Sequence, residues 1–157
     1  MGNNRARGEE KFMSAKRELR EGTFILYFEK LFRDDSIEEI FEVTAEAEDP
    51  NDTIRISEES CKHAAEIYEK YDELNKIIEK YSKKRSVDRI AKINIAILHI
   101  ALFEAVYDDK IPVNVAISEA VILAQKFAQE PDIAFINGVL GAFSRSEDSS
   151  DFKKENE

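Results

Sequence analysis

The fold is decided by residues 93–143, which read INIAILHIALFEAVYDDKIPVNVAISEAVILAQKFAQEPDIAFINGVLGAF. Two short breaks, DDKIP and QEPD, divide this stretch into three apolar segments with helical periodicity. The first segment, residues 93–107, is apolar on nearly every side, yet it is shorter than the roughly 20 apolar residues that a membrane-spanning helix needs. It is therefore predicted to be the buried central helix of an all-helical domain.

The next two segments predict one amphipathic helix each. Apolar residues recur every three to four positions over residues 113–127 and again over residues 133–143. Pro112 suits the first turn of the first of these helices, and Asp132 is predicted to cap the second. Gly138 lies inside the last helical pattern, so we expect two helices to approach each other closely at that position.

Helical signals continue upstream of the decisive stretch. An S-x-x-E capping box that begins at Ser36 predicts a helix to about residue 46. From Ser57 to about residue 81, apolar residues keep spacings of three and four. This run is compatible with one long helix or with two helices separated by a break near Asp72.

The N-terminal region combines a polar arm with a basic and aromatic helix. Residues 1–13 lack periodicity and are predicted to be a flexible arm, after which Ser14 caps a helix. The apolar stripe of this helix consists of Phe24, Phe28, Leu31 and Phe32. Continued toward the N-terminus, the same side carries Arg20 and Arg17, with Lys16 one turn from Arg20. These cations form either a solvated helix end or a surface that binds phosphates.

The charge distribution restricts the classes of partner. The net charge is −10, but residues 1–33 carry eight Lys and Arg against five Glu, a local excess of +3. A nucleic acid could therefore bind only through a local surface, and the N-terminal region is the candidate. Residues 144–157 are predicted to be a disordered polar tail. The sequence has one cysteine, Cys61, and the first residues have no apolar signal region, which together indicate a reducing cytoplasm.

No catalytic motif is present in the sequence. It has no phosphate-binding Gly-rich loop, no CxxC, no HExxH and no GxSxG. His63 has no second His or Cys at ligand spacing, and His99 lies on an apolar helix, where a buried structural histidine is the expected role. These observations predict a binding module without cofactor, metal, membrane or small-molecule substrate, rather than an enzyme.

Four sequence elements together resemble the NusB family of bacterial transcription antitermination factors. The elements are DRI at residues 88–90, ILxxAxxE at 97–104, IPVNVAISEAVxLAxxF at 111–127 and FxNGVL at 135–140. They occur in one order and cover about 55 residues, and KRELRE at residues 16–21 adds weaker similarity to the family's Arg-rich opening helix.

This resemblance implies a fold and a function. The implied fold is all-α, with two small three-helix bundles, about residues 14–82 and 86–143, packed around a long central helix. The implied function is pairing with NusE, a ribosomal protein of the 30S subunit, and binding of boxA RNA in rRNA leader transcripts within the RNA polymerase antitermination complex. The alternative is a NusB-like module that only binds protein and has lost RNA binding.

The resemblance also assigns roles to individual residues. The implied RNA-binding residues are Lys16, Arg17, Arg20 and Phe135, with Arg5 and Arg7 of the arm as additional cations. The implied partner-binding residues are Phe28 and Asn94. The sequence departs from the family where Asn94-Ile95 replaces an acidic–basic pair, His99 replaces a common Arg, and Ala134 replaces a common Lys. Because each lost cation removes a phosphate contact, we expect weaker RNA affinity than in a typical member.

Overall fold

The computed structural model of the chain describes residues 3–47, 56–82 and 85–146. The regular structure of these residues is entirely helical, which confirms the all-α prediction. The helices are α1 (Asn3–Lys30), α2 (Ile37–Glu46), α3 (Glu58–Glu69), α4 (Tyr71–Tyr81), a 3-10 helix (Val87–Arg89), α5 (Lys92–Tyr107), α6 (Val113–Phe127) and α7 (Glu130–Ser144). None of the helices in these described ranges has the length and apolar character to cross a membrane.

Two compact units divide the chain, Met1–Glu66 and Ile67–Glu157. The division places α4 with the C-terminal helices, whereas the sequence had suggested that the N-terminal bundle extends to about residue 82. In the second unit α5 packs against α4, α6 and α7, and α6 also packs against α7. Twelve of the sixteen residues of α5 are buried. The apolar segment at the start of the decisive stretch is therefore the buried helix that the sequence predicts.

The ends of α6 and α7 differ slightly from the prediction. Pro112 is the N-cap of α6 rather than a residue of its first turn. The N-cap of α7 is Gln129, and Asp132 lies three residues inside the helix, so the assignment of Asp132 as the cap is wrong. The Asp132 carboxylate still stabilises the helix start, because its Oδ2 accepts the Gln129 backbone N–H at 3.4 Å.

Gly138 does not mark a close contact between helices. A Cβ atom added to Gly138 would meet no heavy atom within 4 Å, and the residue is exposed on α7. The prediction of close packing at this glycine is therefore wrong. The helix tolerates Gly138 because the neighbouring positions Ile136, Val139 and Leu140 are buried and hold α7 in place.

Helix α1 extends further toward the N-terminus than predicted and buries a different side. It begins at Asn3, so the backbone of residues 3–12 is helical and Ser14 is not the cap. Of the predicted apolar stripe, Phe24 is buried, Phe28 is half-buried and Phe32 is 60% exposed. The side of the helix that faces the interior includes Arg20, Thr23, Phe24 and Tyr27, and Leu26 beside them is also buried. The first four of these residues have the i, i+3, i+4, i+7 spacing of one helical face, rotated from the aromatic stripe.

The remaining helices of the first half agree with the sequence. Ser36 caps α2, its Oγ accepting the Glu39 backbone N–H at 3.2 Å, as predicted. The run from Ser57 forms two helices, α3 and α4, with the break at Lys70, two residues from Asp72, which confirms the second of the two predicted possibilities. The predicted tail begins inside α7, which ends at Ser144, and residues 147–157 lie outside the described part of the chain.

Candidate nucleic-acid interface

The three basic residues predicted to bind RNA on α1 differ in how accessible they are. Arg17 is exposed and Lys16 is half-buried, whereas Arg20 is only 6% exposed. Arg20 is buried because it lies on the same helical row as Thr23, Phe24 and Tyr27, which face the interior. A guanidinium is always charged, and Arg20 has partners within the protein. By exposure alone, Arg17 and in part Lys16 are accessible to a phosphate, whereas Arg20 is buried.

The two additional cations of the predicted arm belong to the first turns of α1. The side chain of Arg7 is exposed. The backbone of Arg5 is helical, and its side chain lies outside the described part of the structure. Arg7 is ten residues before Arg17 on the same helix. Their Cα atoms are thus separated by about 15 Å along the axis at 1.5 Å per residue, far enough to contact different phosphates.

Phe135 lies on the first half of α7, in the second unit of the chain, and is half-buried. The guanidinium carbon of Arg85 lies over its ring, 5.0 Å from the ring centroid. This distance is within the range of a cation–π contact. The contact joins α7 to the connection between α4 and α5, and it gives Phe135 a cationic neighbour. No motif or spacing in the sequence relates Arg85 to Phe135, so sequence reasoning missed this neighbour.

The position of Arg85 is fixed by its own backbone. Ser82, which ends α4, donates its hydroxyl to the carbonyl oxygen of Arg85 at 2.7 Å. The 3-10 helix at Val87–Arg89 follows directly. The Arg85 side chain itself is exposed. A hydrogen bond to its backbone and an exposed side chain allow Arg85 to reach a ligand from this end of α4.

Asn94 is an internal residue, which corrects the expectation that it contacts a partner protein. It is 1% exposed, and its Nδ2 donates to Asp132 Oδ1 at 3.0 Å. Asp132 also accepts the Gln129 backbone N–H, so Asn94 connects α5 to the start of α7. Within the described structure, Asn94 Oδ1 is buried without a hydrogen-bond partner. The residue therefore positions the helix that carries Phe135 one turn later.

Phe28, the other predicted partner-binding residue, belongs to a row of three aromatic rings along α1. Its ring is stacked on Phe24, with centroids 5.5 Å apart, and meets the edge of Phe32 at 5.1 Å. Phe28 is half-buried and Phe32 is 60% exposed. The row leads from the interior at Phe24 to the surface at Phe32. Phe28 therefore remains a candidate partner contact, and Phe32 presents more apolar surface than the residue that the sequence singled out.

His99 and Cys61 show no features of catalytic groups. His99 is 0% exposed, its Nε2 is 2.6 Å from Asn75 Oδ1, and the rings of His99 and Tyr71 meet edge to face at 5.1 Å. Burial lowers the pKa of His99 to about 3, so the imidazole is neutral at pH 7 and donates Nε2–H to the amide oxygen. Burial, reinforced by Glu38 and Glu58, raises the pKa of the Cys61 thiol and keeps it protonated. In the described ranges, no cluster of three His, Cys, Asp or Glu could hold a metal ion.

The arrangement of the helices defines the fold class of the protein. The fold is similar to that of the solved structure of T. maritima NusB, with a TM-score of 0.68 over 88% of this chain and 96% of that chain. The two sequences are 23% identical, so this similarity concerns the fold. The chain is thus an all-helical protein with the NusB fold.

The sequence comparisons then give the family. The NusB family model matches residues 17–145, and the chain belongs to the NusB family. The transcription antitermination protein NusB of Acetivibrio thermocellus is 36% identical over 126 residues, which are 80% of this chain and 86% of that protein. The protein of the same name from Agathobacter rectalis is 35% identical over 129 residues, 80% of this chain and 96% of that protein.

A shorter and stronger match lies in one part of the chain. The transcription antitermination protein NusB of Thermoanaerobacter sp. (strain X514) is 47% identical over 79 residues. These residues are 50% of this chain, and they span 56% of the length of that relative.

Proposed function

We propose that this protein is a transcription antitermination factor that pairs with the ribosomal protein NusE and binds boxA RNA of rRNA leader transcripts. The proposal rests on membership of the NusB family, whose relatives named above are transcription antitermination proteins. Its function would be recognition without catalysis, as part of the RNA polymerase antitermination complex, and this would place the protein in the cytoplasm.

The observation that carries the RNA-binding part is the accessibility of the basic and aromatic side chains. Arg17 is exposed and Lys16 is half-buried on α1, and Phe135 is half-buried on α7. Cations of this kind bind phosphates, and aromatic rings stack on the unpaired bases of single-stranded RNA. A chain with a net charge of −10 gains little from its overall field, so these local groups have to supply the contacts.

The net acidity supports the pairing with a ribosomal protein. Proteins that bind rRNA are typically basic, and a partner of opposite charge is steered toward a surface such as this one. Neutralisation by the partner would also reduce the repulsion between the acidic chain and the RNA backbone. We therefore expect NusE to bind first and to increase the affinity for boxA RNA.

A gel-shift titration with boxA RNA, with and without purified NusE and at two salt concentrations, tests the proposal. We expect the pair to bind RNA more tightly than either protein alone. Arg17→Glu should weaken RNA binding by the pair and leave NusE binding intact. Losing the Arg17 cation should also reduce the slope of log affinity against log salt by about 0.7 for single-stranded RNA. Lys62→Glu, at an exposed position of α3, is the matched charge reversal and should have little effect.

A second candidate function is that of a protein-binding module without RNA binding. The burial of Arg20 favours it, because one of the three predicted cations of α1 is not offered to RNA. Under this alternative the chain would bind NusE, but the pair would retain no more boxA RNA than NusE alone, and Arg17→Glu would change nothing. Absence of NusE binding would exclude both functions.

A further inference from the structure

The contact between Arg85 and Phe135 determines which planar surface an RNA base could stack on. The guanidinium covers one face of the phenyl ring, with its central carbon 5.0 Å from the ring centroid. A base cannot stack on that face of Phe135 while Arg85 occupies it. The guanidinium is itself planar, however, and its outer face remains available because Arg85 is exposed. Arginine planes stack on unpaired bases in RNA complexes in the same way as aromatic rings do.

The charged residues next to Arg85 in the sequence favour a phosphate-bearing ligand over a carboxylate-bearing one. The connection between α4 and α5, residues 82–91, together with Lys92 at the start of α5, carries five cations and one acid, in a chain whose net charge is −10. These charged residues are Lys83, Lys84, Arg85, Asp88, Arg89 and Lys92. Among the described residues, Arg85 forms no ion pair with a carboxylate that would neutralise its charge. Asp132, one turn before Phe135 on α7, is already bonded to Asn94 and Gln129.

We propose that Arg85, supported by the ring of Phe135, is an RNA-contacting residue of this protein. Its guanidinium plane stacks on one unpaired base, and its N–H groups donate to a phosphate oxygen of the same strand. Phe135 then acts as the support that holds the guanidinium flat and keeps it from collapsing onto a carboxylate. This inference rests on the proposed function, because it assumes that single-stranded RNA is the ligand.

The chemistry predicts that the plane of Arg85 matters as much as its charge. A lysine keeps the positive charge, but it has no planar group that can stack between a ring and a base. If Arg85 only neutralised a phosphate, lysine would replace it with little loss. If Arg85 stacks on a base, lysine should already lose the stacking contact, and alanine should lose the phosphate contact in addition. The comparison of these two variants therefore separates the two roles.

The experiment measures binding of single-stranded boxA RNA to the full chain paired with NusE, at two salt concentrations. We expect Arg85→Lys to weaken binding by about tenfold, the size of a lost stacking contact, and Arg85→Ala to weaken it further, because alanine also loses the phosphate contact. The salt slope should stay unchanged in Arg85→Lys and fall by about 0.7 in Arg85→Ala. Arg89→Lys is the matched control, because Arg89 is an exposed arginine of the same connection for which no aromatic contact is recorded, and it should bind like the wild type. Thermal unfolding of each variant checks that the fold is kept.

The support by Phe135 gives a second, independent measurement. Phe135→Leu keeps the apolar volume but removes the flat ring, and we expect this variant to weaken RNA binding. In the double variant, adding Arg85→Ala to Phe135→Leu should cause little further loss of RNA affinity. Unchanged binding in Arg85→Lys, with RNA binding by the wild type intact, would overturn the role of Arg85 and leave the proposed function standing. A loss of NusE binding in Arg85→Ala without any change in RNA binding would assign Arg85 to the protein partner and also overturn it. Absence of RNA binding by the wild-type pair would overturn both.

Discussion

Arg20 on α1 and His99 on α5 are both basic residues inside the protein, but burial leaves one of them charged and makes the other neutral. His99 is 0% exposed and becomes neutral, because burial lowers its pKa to about 3 and Asn75 accepts its remaining N–H. Arg20 is 6% exposed and keeps its charge, because a guanidinium does not lose its proton in proteins. It therefore depends on partners within the protein. A buried basic residue can thus be a polar packing group or a permanent internal cation.

The comparison separates residues that hold the fold from residues that are proposed to contact RNA. The sequence groups Lys16, Arg17 and Arg20 as one basic cluster, but only Arg17 is fully exposed. At His99, the sequence shows a basic residue in a position where the family often has Arg, and the structure shows a neutral side chain. Basic residues in this chain therefore cannot be counted as RNA contacts until their burial is known.

The largest effect is expected when the neutral imidazole of His99 is replaced by a side chain that stays charged. His99→Arg places a permanent charge beside Asn75 and Tyr71, which meet the neutral imidazole with an amide oxygen and the edge of an aromatic ring. An uncompensated buried charge destabilises a protein by about 4 kcal/mol, so the free energy of unfolding in urea should fall by that amount. His99→Gln, which keeps a donor for Asn75, is the control and should lose less than half as much. A stable His99→Arg variant would show that the pocket contains a compensating acid.

A smaller loss is expected when the buried cation of α1 is removed. Arg20→Ala deletes both the packed stem and the charge that its partners require, and we expect a loss of about 3 kcal/mol in unfolding free energy. Arg17→Ala, three residues earlier on an exposed position, should change stability by less than about 0.5 kcal/mol. In gel shifts the order should reverse, with Arg17→Ala the weaker RNA binder of the two folded variants. If both variants lost the same RNA affinity at a temperature at which both are folded, Arg20 would have to contact the RNA.

The fold of the second unit could be predicted from the sequence because burial repeats locally along a helix. The apolar rows of residues 93–143 placed α5, α6 and α7 within a few residues of their true ends. Which side of α1 is buried could not be predicted in the same way. Its aromatic residues Phe24, Phe28 and Phe32 form a row as regular as the true interior row, and only tertiary packing, such as that between α1 and α2, decides which row is buried.

The candidate site was predictable only in part. Phe135 was predicted from a motif; it is half-buried on α7, and its role in RNA binding stays a prediction. The contact of Phe135 with Arg85 could not be found, because no local spacing relates two residues on different elements. The burial of Asn94 could not be found either, since a polar residue near the start of an apolar helix can face solvent or, as here, a capping carboxylate. Local periodicity thus predicts helices, whereas contacts between helices require the tertiary structure.

Acid should reveal the neutral state of His99. The pKa of His99 is about 3 in the folded protein and 6.5 in an unfolded chain, so protonation favours unfolding. The contribution of His99 to stability is complete above pH 6.5 and is lost as the pH falls from 6.5 toward 3. Between pH 7 and pH 5 the unfolding free energy should fall by about 2 kcal/mol more in the wild type than in His99→Gln. Identical pH profiles for the two proteins would contradict a buried neutral histidine.

The smallest effect is expected at Asn94, where the buried polar group is only partly satisfied. Asn94→Ala removes the bond from Nδ2 to Asp132 but also removes the buried Oδ1 that has no partner among the described residues. Because the two changes oppose each other, the unfolding free energy should fall by less than about 1 kcal/mol. Asn94→Asp is the contrasting variant, since a second carboxylate against Asp132 should destabilise the protein at pH 7 and recover part of the loss at pH 4, when the pair can share a proton. A loss above about 2 kcal/mol in Asn94→Ala would show that Oδ1 has a partner, such as a bound water, and that Asn94 is as well satisfied as His99.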